Sequence, residues 1–273
     1  MKKTGFPVRM LLFALTLLLA LPGFIPCTAE EPSLSSYEKG KGYTYVYLGS
    51  YPQWLEGGEP ETSAWTWSRH KLTPDDASLF SPSPILWRVL EANAESAYLC
   101  SEYVLFAHPM HVNYGEYRSL GKDFSQTDLA HYLNEEFLPQ AFSDEEAELL
   151  LEDDSGLKVS LLLAADLNNK AYGFGTKISR KGWATEYAIK ITDVFVYQIG
   201  GGQHTPYWMQ DQSSSDPRHA RCTKVDGSIG HIVADRDNEG ARPTIRLDLT
   251  ASTIAGGSGT KTDPYIIVPA QGN

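Results

Sequence analysis

The chain has 273 residues, 42% of them hydrophobic, and a formal net charge of −11. An acidic chain repels phosphate backbones, which excludes nucleic acid as a natural partner. Six Trp, 15 Tyr and 10 Phe supply ample material for a packed core.

Residues 1–29 read as a secretory signal peptide. Lys2, Lys3 and Arg9 give a positive start, Met10 to Ala20 an uncharged apolar run, and Cys27-Thr28-Ala29 a small-residue cleavage site. That run is too short for a spanning helix, which needs ~20 apolar residues, and Pro22 and Gly23 interrupt it. Loss of Lys2, Lys3 and Arg9, with no acidic residue, takes the net charge from −11 to −14. The expected mature chain is secreted or associated with the cell surface, with no membrane span after cleavage.

Residues 30–42 are polar and read as a flexible leader, 43–268 as a single globular domain, and 269–273 as a tail. Tyr43 to Leu48 alternates aromatic and β-branched residues, the pattern of a strand, closed by turn chemistry at Gly49-Ser50-Tyr51-Pro52. Residues 55–83 lack a period and read as a surface insertion, with Trp65 and Trp67 inside it. Ile85 to Glu91 and Ala97 to Ser101 flank a short polar link and predict a hairpin.

Ser125 with Asp128, and Ser143 with Glu146, match the capping box of a helix start. The first predicts a helix with Leu129, Tyr132, Leu133 and Phe137 on its apolar face, ending at Pro139. Leu157 to Leu163 is a buried strand or a helix start, and residues 164–172 predict a helix stopped by Gly173. The last third predicts strands at Tyr207 to Asp211, Ala220 to Val225, Ser228 to Ala234 and Thr244 to Leu249. Asp226-Gly227 suits a type I′ hairpin turn. No repeat of the solenoid or propeller kind is visible.

These segments follow a recognisable order. Leu48-Gly49-Ser50-Tyr51-Pro52-Gln53, Pro84-Ile85-Leu86-Trp87-Arg88-Val89-Leu90, and Tyr132-Leu133-Asn134-Glu135-Glu136-Phe137 come first. Tyr207-Trp208-Met209, Val225-Asp226-Gly227, Ala241-Arg242-Pro243-Thr244 and Asp263-Pro264-Tyr265 follow. The chain resembles a bacterial domain of unknown function, frequent in secreted and surface proteins of Gram-positive anaerobes. That domain is distantly similar to the formylglycine-generating-enzyme branch of the C-type-lectin-like fold. The resemblance implies an α+β, C-type-lectin-like architecture: a twisted, mostly antiparallel sheet with two or three helices. The chain departs from the family where Gln210-Asp211 replaces an Arg-Ser pair and Ala164 replaces a helix-capping Ser.

No catalytic constellation is complete: G-x-S-x-G, H-E-x-x-H and phosphate-loop patterns are missing. Gly200-Gly201-Gly202 reads as a loop tip. Cys100 and Cys222 sit in strand patterns without a basic neighbour that would lower a thiol pKa; they read as buried thiols, a disulfide being the alternative. His108 and His111 read as surface loop histidines. Asp235, Asp237 and Glu239, followed by Gly240, match the first half of a calcium loop, but Arg246 stands where the closing Glu would be. They are weak metal candidates, read foremost as a solvated acidic loop. No cofactor is expected.

The sequence therefore points to a non-catalytic binding module for a glycan or a protein, with an extracellular enzyme or a structural envelope protein as alternatives. Trp208, Gln210, Asp211 and Arg242 are the candidate ligand residues: a flat apolar platform, two acceptors and a fork of donors. The competing expectation is that Trp208 is core and that Arg242 is structural.

Overall fold

A computed structural model describes residues 32–55, 72–199 and 202–270. The signal-peptide segment, Trp65, Trp67, Gly200, Gly201 and residues 271–273 lie outside the described residues.

The first half carries β1 (Tyr45–Pro52), β2 (Pro82–Ala92), β3 (Ser96–Ser101), β4 (Phe106–Ala107), β5 (Leu150–Leu151) and β6 (Val159–Leu161). The second half carries β7 (Tyr197–Ile199), β8 (Gly202–His204), β9 (Trp208–Gln212), β10 (His219–Thr223) and β11 (Ile229–Val233). It ends with β12 (Gly240–Ala241), β13 (Pro243–Asp248), β14 (Ser252–Gly256) and β15 (Tyr265–Pro269). Short helices lie between: α1 (Tyr114–Tyr117), α2 (Asp128–His131), α3 (Leu138–Ala141), α4 (Asp144–Glu148), α5 (Ala164–Asn168) and α6 (Glu186–Lys190).

The chain is thus α+β and mostly antiparallel. The main sheet runs β14-β15-β1-β2-β3-β13-β5, with β6 also on β13; only the β1–β15 pairing in it is parallel. A second sheet runs β11-β10-β9, and β4–β12 and β7–β8 form two ribbons. Among the described residues no helix is long and apolar enough to cross a membrane.

The β2–β3 hairpin forms where the alternation places it. Gly49 does not end β1. It sits at φ 67°, inside a register shift between Tyr47 and Ser50, so the strand passes through a bulge and continues to Pro52. A Cβ there would lie 2.5 Å from the Ala141 carbonyl and 2.8 Å from the Phe142 ring. Only glycine allows α3 to pack that closely.

The helix starts differ in their chemistry. Ser143 and Glu146 form the expected reciprocal cap of α4, at 3.2 and 2.9 Å. Ser125 does not cap its helix: Thr127 does, accepting the Ala130 N–H at 3.1 Å, while Ser125 donates its own N–H to Asp123. Nor does Pro139 end the run, which continues to Ala141. Pro139 has no N–H for the hydrogen-bond ladder, and the preceding turn widens to π-type geometry over Tyr132–Phe137. At the β10–β11 hairpin only Gly227 takes positive φ, 80°. Its N–H closes on the Lys224 carbonyl at 2.7 Å, so a type I turn with a following left-handed glycine replaces the expected type I′ turn.

Apolar side chains gather in two clusters. The larger holds Trp87, Phe106, Phe137 and Trp208; the smaller holds Cys100, Phe174, Tyr207 and Met209. Successive residues of β9 alternate faces, so Trp208 enters one cluster and Met209 the other. Both cysteines are buried free thiols.

Candidate functional site

β9 leaves the core along its length. Trp208 and Met209 are fully buried, whereas Gln210, Asp211 and Gln212 are half-buried. The last three reach a groove made of two adjacent cavities of about 390 and 510 Å³, which meet at Leu163 and Gln210.

Two contacts set the shape of this groove. The Gln210 amide donates to the Ser160 hydroxyl on β6, and the Asp211 carboxylate accepts the Ala164 N–H at the start of α5. Together with the Gln210 N–H on the Leu162 carbonyl, at 3.0 Å, they hold the β6–α5 connection against β9. Asp211 thereby supplies, from β9, an acceptor for one of the unpaired N–H groups in the first turn of α5. Leu163 is left 39% exposed at the junction of the two cavities.

The larger wall of the 390 Å³ cavity comes from the main sheet. Tyr98 on β3 pairs with Arg246 on β13, whose guanidinium lies 5.3 Å from the centre of the Tyr98 ring. The Tyr98 hydroxyl donates to Asp166 at 3.1 Å, and Asp166 also accepts the Leu163 N–H at 2.8 Å. Burial pushes the Asp166 carboxyl above its ordinary range, against the pull of those two hydrogen bonds. Asp153, bonded to the N–H groups of Ser155 and Leu157, folds the opposite lip.

The expected shared face of Trp208, Gln210, Asp211 and Arg242 does not form. Trp208 is 0% exposed and its indole N–H donates to the His108 carbonyl at 2.8 Å. Arg242 is 1% exposed. Its Nε donates to the Ser101 carbonyl at 2.6 Å, and its guanidinium faces the Tyr207 and Phe174 rings at 5.4 and 6.0 Å. The physical reason is layering: β9 lies between two apolar clusters, and only its last three residues escape. Gln210 and Asp211 do meet, beside Tyr98, Asp166, Tyr172 and Arg246, none of which the sequence marks as a ligand residue.

Beside Arg242 lies a buried ion pair. The Arg88 Nε donates to Glu102 at 2.7 Å, and Lys261 approaches the other Glu102 oxygen at 3.4 Å. Burial alone would raise the Glu102 carboxyl; Arg88 and Arg242 outweigh it and hold the group below its ordinary range.

The metal candidates separate. Asp237 is exposed while Glu239 is 5% exposed, so the loop is not uniformly solvated. Among the described residues no group of three His, Cys, Asp or Glu side chains is placed to hold a metal ion. His108 and His111 are not surface loop residues either: one ring stacks on Tyr132 at 4.6 Å, and the other is buried 3.0 Å from Asp128. Burial raises both thiols, Cys222 to about 12, which keeps them uncharged and poor nucleophiles.

No protein family, curated protein or solved structure matches this chain.

Proposed function

We propose that this protein is an exported, non-catalytic binding module of C-type-lectin-like architecture that takes a neutral glycan in the groove around Gln210. The observation that carries this reading is the balance of the groove's lining. Asp153, Asp154, Asp166 and Asp211 stand against Lys122, Lys158, Arg221 and Arg246. Interspersed charges of both signs offer donors and acceptors to hydroxyl groups without favouring an ionic ligand. The chain's overall charge of −11 argues further against a polyanion. Tyr98 and Tyr172 add the aromatic surface on which a sugar ring can rest, and Leu163 and Leu157 add apolar contact.

The buried neutral thiols support a binding role over thiol chemistry. A glycan array carrying neutral and acidic oligosaccharides tests the proposal. Wild-type protein is expected to be retained on neutral glycans without releasing shortened products. Retention on acidic glycans alone, or on none, contradicts it, and shortened products indicate an enzyme instead.

A further inference from the structure

A third cavity, apart from the two that form the groove, is built around one acid. It measures about 310 Å³ and lies between the β10–β11 hairpin, Phe195 and the segment leading into β12. Glu239 lines it, is 5% exposed, and has its Oε2 atom buried without a hydrogen-bond partner. Among the described residues that line the cavity, Glu239 is the one carboxyl group. Buried polar atoms are almost always paired, so an unpaired carboxyl oxygen on a residue that lines a cavity points to a donor that arrives with a ligand.

The remaining lining fixes what that ligand is. Phe195, Pro206, Val225 and Ile232 are apolar, and Phe195 is 44% exposed. Cys222 on β10 is uncharged, its thiol pushed up to about 12 by burial and by Glu239. Two cations, Lys224 and Arg236, line the same cavity and are exposed at its surface. An acid within, two cations at the surface and apolar walls form the complement of a small zwitterion carrying an apolar side chain.

We propose that this cavity binds an apolar amino acid, its ammonium on Glu239, its carboxylate on Arg236 and Lys224, and its side chain against Phe195 and Ile232. The site is independent of the glycan groove and shares no lining residue with it. The other charged and titratable groups lining the cavity with Glu239 are Arg236, Lys224, Cys222 and His231. Burial raises Glu239 to about 7 and Arg236 opposes that shift. The ammonium contact needs the ionised acid, so affinity rises as pH passes from below to above about 7.

Isothermal titration of the full protein above that pH, with L-phenylalanine, phenethylamine and 3-phenylpropionate in turn, tests the proposal. Phenylalanine is expected to bind best, phenethylamine more weakly and phenylpropionate least. Glu239→Gln, which keeps the shape and removes the charge, should weaken phenylalanine about tenfold or more, the scale of a charge-assisted hydrogen bond. Arg236→Ala, an exposed position that spares the fold, should weaken phenylalanine but not phenethylamine. The proposal is overturned if phenylalanine gives no heat at ~10 mM, well beyond any specific affinity. Equal binding of the three probes overturns it as well, as does an Arg236→Ala variant that loses both amines equally or neither. Should Glu239→Gln fail to fold, the Arg236→Ala comparison decides.

Discussion

The Asp211 carboxylate accepts the backbone N–H of Ala164, 47 residues earlier in the chain. This contact ties the end of β9 to the first turn of α5 and, with the Gln210 contacts to Ser160 and Leu162, shapes the groove between them. Asp211→Ala should therefore destabilise the protein by about 1 kcal/mol, the usual cost of losing an N-terminal acceptor. Asp211→Asn, which keeps an oxygen there, should cost less. Urea unfolding of both variants checks the order.

Trp208 belongs to the core rather than to a ligand face. Trp208→Ala should cost about 3–5 kcal/mol, the range for removing a large buried aromatic. The cost includes the His108 carbonyl left without its indole donor. Loss of cooperative melting near room temperature is the outcome to look for; a mild effect would place Trp208 outside the packed region.

The Arg88–Glu102 pair makes a sharper test, because buried ion pairs are costly to break and cheap to replace. Glu102→Leu alone should lose about 3–5 kcal/mol by stranding Arg88. The double variant Arg88→Met with Glu102→Leu should recover much of that loss. Acid unfolding adds a check of sign. Glu102 is held below its unfolded value, so its contribution is present above the unfolded pKa and fades as pH falls through the folded one.

Glu239 runs the other way. Its folded pKa, about 7, lies above the unfolded value of about 4.3. The protonated acid is favoured in the fold, so its contribution is complete below the unfolded pKa and is lost as pH rises through about 7. The difference in unfolding free energy between wild type and Glu239→Gln should fall by about 4 kcal/mol across that window. A flat difference would mean that Glu239 is solvated.

Much of the strand framework was legible because period-2 alternation is local. The β2–β3 and β10–β11 hairpins could be placed from apolar runs and turn residues alone. Glu146 capped α4 as its spacing from Ser143 indicated. What was hidden is set by distant partners. Thr127 displaced Ser125 as a cap, and Gly49 made a bulge because Phe142 packs against it. Trp208 and Arg242 had the chemistry of a binding surface, but layering on both faces of β9 buried one in the larger cluster and set the other beside Tyr207. Gln210 and Asp211 were visible as candidates; Tyr98 and Arg246 were not, since only the β3–β13 pairing brings them together. The alternation in Ala97 to Ser101, which turns Tyr98 away from Ala97 and Leu99, was the one local signal for them.

The most direct test of a glycan groove is a map of amide chemical shifts during titration with a neutral oligosaccharide retained on the array. Shifts are expected to centre on Leu163, Ala164, Asp166, Gln210 and Asp211, and to vanish in Gln210→Ala while the melting temperature is kept. Shifts centred elsewhere, or undiminished in Gln210→Ala, would contradict it.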